Sequence, residues 1–117
     1  MGAQSPVKNV QWLGDGGRTA LVQAAGDIDL RCSSEFQRRL LEVVEAKPRG
    51  IVVDLSEVPY MDSSGVASLV KLLARVRRGD IKLRLCGLNP RVRSVFEITR
   101  LDGVFEIRPT AKEAMEA

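Results

Sequence analysis

The stretch IVVDLSEVPYMDSSGV, residues 51–66, decides how this chain folds. Ile51, Val52 and Val53 form a continuous apolar run, the pattern of a central strand buried on both faces. Asp54 and Leu55 are expected to end it. A short connection leads to Met61-Asp62-Ser63-Ser64-Gly65, and a helix follows. Its expected apolar stripe is Val66, Leu69, Val70, Leu73 and Val76. Gly79 stands where the residue just past a helix end is expected. Strand, short loop and helix in that order form the first half of a crossover unit.

Upstream, residues 7–13 and 19–25 read as two strands joined by a hairpin turn, Gly14-Asp15-Gly16-Gly17. No Gly-Lys-Ser/Thr follows these glycines and no helix opens on them, so a phosphate loop is excluded. Gly26-Asp27-Ile28-Asp29 comes next, then a helix over about residues 34–46. Phe36, Leu40, Val43 and Val44 give it an apolar stripe, and Ser34 with Gln37 is a capping-box pair. Lys47-Pro48-Arg49-Gly50 stops it.

Downstream, residues 81–85 alternate apolar and charged side chains, a strand with one dry face and one wet face. Asn89 and Pro90 read as the N-cap and first residue of a helix whose buried side is Val92, Val95 and Phe96. Asp102-Gly103 turns the chain into a last strand, residues 104–107. Thr110 with Glu113 caps a short final helix. Strand–helix alternation calls for parallel pairing through right-handed crossovers. The expected fold is α/β: a mostly parallel sheet, its first strand antiparallel, with helices mainly on one face.

A chain of 117 residues suits a single domain. With 44% hydrophobic and 28% charged residues, it has the composition of a folded globular protein. No apolar run approaches the roughly 20 residues that span a bilayer. Residues 1–6 lack the basic and apolar regions of a secretory signal, and Pro6 stands where a myristoylation signal needs Ser or Thr. The chain is therefore expected to be soluble and cytoplasmic, with no membrane contact.

There is no histidine, which removes Ser-His-Asp catalysis, Cys-His catalysis and every His-containing metal site. Cys32 and Cys86 are too few for a structural zinc site or a disulfide framework and read as small buried hydrophobes. Neither metal nor cofactor is expected. Residues 71–100 hold nine basic side chains against Asp80 and Glu97, a net of +7. Aromatic rings are nearly absent there, so this reads as a solvated face rather than a direct nucleic-acid surface. It could also steer an acidic protein partner.

Loops at the carboxyl ends of parallel strands share one edge of the sheet, where such folds bind their ligands. Two loops there carry polar residues: Gly26-Asp27-Ile28-Asp29 and Met61-Asp62-Ser63-Ser64-Gly65. Asp62, Ser63 or Ser64 can cap the unpaired amides of the helix, worth about 1 kcal/mol. Alternatively, a hydroxyl here is phosphorylated. The added charge, roughly −1.5 to −2, is tolerated by the helix dipole and repels a docked partner instead. A nucleophilic Ser63 would need a base; there is no histidine, and Lys71, two turns on, is poorly placed. No catalytic residue is expected.

The block Asp54-Leu55 with Met61-Asp62-Ser63-Ser64-Gly65 resembles the signature of STAS domains, the anti-sigma factor antagonists and their relatives in sulfate transporters. Gly26-Asp27-Ile28-Asp29 is similar to the family's G-x-[LI]-D loop. Leu85-Cys86-Gly87-Leu88-Asn89-Pro90-Arg91-Val92 resembles its fourth strand and third helix start, and Thr99-Arg100-Leu101-Asp102 with Phe105-Glu106-Ile107 its closing segment. Two departures stand out. Ala67 and Arg100 replace frequent family glycines, and Arg100 must avoid or accept a left-handed backbone.

The resemblance implies a STAS-type βα superhelix and a non-enzymatic regulator of transcription. In such antagonists the first serine of the D-S-S-G block is phosphorylated, which corresponds to Ser63. The kinase is the anti-sigma factor itself; the unphosphorylated antagonist binds it, and sigma factor is released. A phosphatase that restores the free serine is implied as well. Asp29, Asp62, Ser64 and Gly65 would form the docking surface around the switch. The alternative is a structural or regulatory subunit of a stressosome-like or lipid-transport assembly.

Overall fold

The computed structural model describes residues 5–116, so the reading of the first six residues falls mostly outside them. Five strands form one sheet in the order β1-β2-β3-β4-β5: β1 (Val7–Leu13), β2 (Thr19–Ala25), β3 (Gly50–Glu57), β4 (Lys82–Cys86) and β5 (Glu106–Arg108). β1 runs antiparallel to β2, and the other pairs are parallel. Four helices accompany them: α1 (Ser33–Glu45), α2 (Ser63–Arg78), α3 (Pro90–Ile98) and α4 (Ala111–Glu116). This is the mostly parallel α/β sheet expected from the alternation of elements.

Strand periodicity divides the sheet into two faces. Ala20, Val22, Ile51, Val53, Leu83 and Leu85 point into the main core, with Phe36 and Leu40 of α1, Leu69 and Leu72 of α2, and Val92 and Phe96 of α3. The other face carries a smaller cluster, Leu21, Val52 and Cys86, covered by Ala114 of α4. Helices α1 to α3 thus share one face and only the short α4 lies on the other. β3 is apolar on both sides because both of its sides are covered.

Several boundaries differ from the sequence reading, each for a local reason. β3 continues past Asp54 and Leu55 to Glu57, because Leu55 is fully buried and Ala25 pairs with Glu57. α1 starts at Ser33 without a side-chain cap. The Asp29 carbonyl takes the Cys32 and Ser33 amides at 3.0 and 2.9 Å, so the Ser34–Gln37 box is not needed. On α2 the buried line runs through Gly65, Ser68, Leu69, Leu72 and Val76, while Val70 is exposed. The Ser68 hydroxyl faces inward because it donates to the Ser33 and Ser64 carbonyls. After α2, the left-handed residue is Asp80 (φ 57°) rather than Gly79 (φ −97°).

Other local signals hold. Asn89 caps α3, its Oδ1 accepting the Val92 amide at 2.8 Å, with Pro90 next in line. Thr110 Oγ1 accepts the Glu113 amide at 3.1 Å. Arg100 accepts the left-handed conformation, φ 62° and ψ 23°, at the turn into the last strand. Ala67 is exposed, so its methyl group is accommodated in solvent.

Candidate functional site

The carboxyl edge of the sheet brings the two polar loops side by side. Ile28 and Met61 form an isolated parallel bridge. The Ile28 amide donates to the Tyr60 carbonyl at 2.9 Å, and the Asp62 amide to the Ile28 carbonyl at 3.1 Å. Both bridge side chains are buried in the main core. The loops are thereby anchored by their apolar residues while their polar residues face out.

Gly65 fits α2 onto this bridge. A Cβ there would lie 2.6 Å from Met61 Cγ and 2.9 Å from Ile28 Cγ2, closer than carbon atoms pack. Gly65 is itself buried, and the lack of a side chain lets the helix start sit this close.

Asp62 is the N-cap of α2. One carboxylate oxygen accepts the Ser64 amide at 2.9 Å, the Gly65 amide at 3.3 Å and the Ser64 hydroxyl at 2.5 Å. The hydroxyl bond from Ser64, reinforced by the Gly65, Ser64 and Leu30 amides, holds this carboxyl below the usual carboxylate range. Ser64 is therefore committed to the cap. Ser63, the first residue of α2, is exposed and takes no part in that network.

Asp29, on the neighbouring loop, is turned toward Arg31. Its carboxylate accepts the Arg31 amide at 3.0 Å and the guanidinium at 2.8 Å. Hydrogen bonding from the Arg31 side chain lowers its pKa. This clamp shapes the tip of the loop, where Leu30 stands 80% exposed. Tyr60, 40% exposed, lies on the facing loop with the Arg91 guanidinium 5.9 Å from its ring centre. Leu30, Arg31 and Tyr60 lie outside the set of site residues that the sequence points to. The available signal was one large apolar residue, Leu30, set among charges outside any period.

The arrangement presents Ser63 to solvent. Asp62 is aimed at amides and the Ser64 hydroxyl. Cys86 is fully buried, and burial pushes its thiol up to about 12. Among the described residues, no three His, Cys, Asp or Glu side chains come together as metal ligands, and no helix is long and apolar enough to cross a membrane.

Comparison with known proteins agrees with this architecture. Residues 16–114 match the STAS domain family. An anti-sigma-B factor antagonist of Listeria monocytogenes is 40% identical over 86 residues, covering 72% of this chain and 74% of that protein. A crystal structure of an anti-sigma factor antagonist from Mycobacterium paratuberculosis superimposes with a TM-score of 0.80 at 24% identity, covering 97% of each chain. The antagonist SpoIIAA has the same fold: its unphosphorylated form gives a TM-score of 0.75 at 19% identity, covering 92% of this chain and 94% of that one. The phosphorylated form of the Bacillus protein gives 0.67 at 18% identity, covering 92% and 97%. This chain belongs to the STAS domain family.

Proposed function

We propose that this chain is a cytoplasmic anti-sigma factor antagonist, acting as one STAS domain, whose binding to an anti-sigma serine kinase is switched off by phosphorylation of Ser63. One observation carries the reading. Of the polar residues at the start of α2, Asp62 and Ser64 are bound to each other and to the backbone, whereas Ser63 is presented to solvent. The 40% identical Listeria protein is named an antagonist of this type, and SpoIIAA is known in both phosphorylation states.

The physics of the switch follows from position. A phosphate on Ser63 adds roughly −1.5 to −2 charges at neutral pH. The positive end of the α2 dipole offsets part of that charge, and no buried group has to move. Docking is affected differently. Leu30 and Tyr60 offer apolar surface to a partner, flanked by Asp29 and Asp62. Burying a phosphate next to the Asp62 carboxylate would strip water from added negative charge, a large penalty unless the partner supplies a paired cation. The modification thus opposes association while the fold persists. No chemistry is asked of the chain itself; the kinase supplies ATP, and a phosphatase resets the serine.

Incubation with the cognate kinase and ATP tests the assignment. The expected result is a mass increase of one phosphate that disappears in Ser63→Ala and persists in Ser64→Ala. Equal modification of Ser63→Ala would place the switch elsewhere. Recovery of the chain with a transporter or a large multimer, and with no kinase, would favour the assembly-subunit role.

A further inference from the structure

The edge of the sheet opposite Ser63 carries a second organised surface. Arg18 and Arg49 directly precede β2 and β3, and Lys82 opens β4. The Arg49 amide donates to the Arg18 carbonyl at 2.8 Å, and the Lys82 amide to the Arg49 carbonyl at 3.1 Å. Arg18 and Arg49 therefore stand side by side at neighbouring strand starts, at an interstrand spacing of roughly 4.8 Å, whereas Lys82 pairs with Gly50 and borders the cleft beside α4. Lys47 joins them from the turn after α1, its backbone left-handed at φ 55° and followed by buried Pro48. Arg75 and Arg78 add charge from the last turn of α2. All six side chains belong to exposed residues.

Two adjoining shallow pockets lie among these cations. One, about 490 Å³, is bordered by Trp12, Arg18, Lys47, Pro48 and Arg49. The other, about 630 Å³, is bordered by Val44, Lys47, Pro48, Arg75, Arg78 and Ile81. They share Lys47 and Pro48. Trp12 is 43% exposed and forms the apolar wall of the first.

Helix-dipole complementarity accounts for only part of this charge. Arg75 and Arg78 suit the C-terminal end of α2. Arg18, Arg49 and Lys82 belong to no helix. The ion pairs of the described residues engage Lys8, Arg31, Arg38, Arg39, Arg84, Arg93 and Arg108 instead. Among the described residues, Glu45 is the carboxylate bordering the two pockets, with Asp80 on the adjacent turn.

We propose that this pole docks an acidic polypeptide segment of a partner protein, one that carries at least one bulky apolar side chain among its carboxylates. Charge complementarity selects the carboxylates, and Trp12, Val44, Pro48 and Ile81 receive the apolar side chain. Nucleic acid fits less well. Strand recognition uses successive aromatic platforms, and this surface has one ring. The pole lies across the sheet from Ser63, so both ends can be engaged at once, and a charge at Ser63 leaves this surface unchanged.

Fluorescence anisotropy of a labelled synthetic peptide of about ten residues, alternating Glu and Leu, tests the proposal on the full chain at low salt. The expected result is saturable binding, weakened about tenfold or more by Arg18→Glu with Arg49→Glu, and likewise by Arg75→Glu with Arg78→Glu. Arg91→Glu with Arg93→Glu, the same change in net charge on α3, should stay within about twofold of wild type, as should Ser63→Asp. A thermal melt identifies any variant that fails to fold, and the second pair then carries the comparison. Absence of saturable binding would overturn the proposal. So would equal loss in the α3 control, or tighter binding of a DNA duplex or of vesicles rich in anionic lipid than of the peptide.

Discussion

Two Ser-Ser pairs open helices on the same side of the sheet, and the structure treats them in opposite ways. Ser33-Ser34 begins α1 and Ser63-Ser64 begins α2. At α1 the Asp29 carbonyl accepts the first amides, no side chain caps the helix, and Ser33 is buried at 8% exposure. Its carbonyl receives the Ser68 hydroxyl of α2. At α2 the preceding residue is Asp62, whose carboxylate fills the cap and holds Ser64, leaving Ser63 outside. What distinguishes a structural serine from a presented one is the residue before the pair and the packing beneath it. Asp62 takes the capping role that a serine could otherwise fill, and Gly65 brings the helix start down onto Ile28 and Met61.

The largest expected effect comes from the packing beneath the second pair. Gly65→Ala places a methyl group inside contact distance of Met61 and Ile28. A loss of about 2 kcal/mol, seen as a melting temperature several degrees lower, is expected by analogy with overpacked cores. Unchanged stability would mean that the start of α2 is not tightly seated. Next in size is the cap. Asp62→Ala should cost about 1 kcal/mol, whereas Ser34→Ala should change stability by no more than about 0.5 kcal/mol, since α1 has no side-chain cap to lose. Equal losses in chemical denaturation would erase the contrast between the two helix starts.

Acid titration sharpens the same contrast further. The Asp62 carboxyl is held below its ordinary range, so its stabilising effect is present above the unfolded value of about 3.9 and fades as pH falls through the folded value. The stability gap between wild type and Asp62→Asn should be full at neutral pH and close in strong acid. A gap that stays constant to low pH would show that the charge on Asp62 is irrelevant to the cap. The smallest effect is expected at Arg100. Arg100→Gly relieves a left-handed backbone but loosens the unfolded chain, for a net change within about 1 kcal/mol.

Much of this arrangement is legible in the residues. The bounds of β1 and β2 match the two runs read on either side of a glycine turn, and Asn89-Pro90 and Thr110 start their helices as capping chemistry requires. Ser63 and Asp62 stand out because polar residues cluster where a strand run gives way to a helical one. The misread positions depend on tertiary contacts. Val70 and Leu72 are equally apolar, and only the seating of α2 beside α1 turns Leu72 inward, with Ser68 satisfied by carbonyls on both helices. The α1 cap comes from a backbone carbonyl, which leaves no mark on side-chain identity. The Asp29–Arg31 clamp, and the exposed Leu30 it carries, require a loop conformation that periodicity does not specify.

The central claim is that charge added at Ser63 cancels association and leaves the architecture intact. Its most direct test pairs two readings on the phosphorylated chain: affinity for the unliganded kinase and melting temperature. The account expects affinity to fall by at least about tenfold, or 1.4 kcal/mol, with a melting temperature within a few degrees of the unmodified chain. Undiminished binding would contradict the electrostatic switch, and cooperative unfolding on phosphorylation would contradict the presented position of the serine.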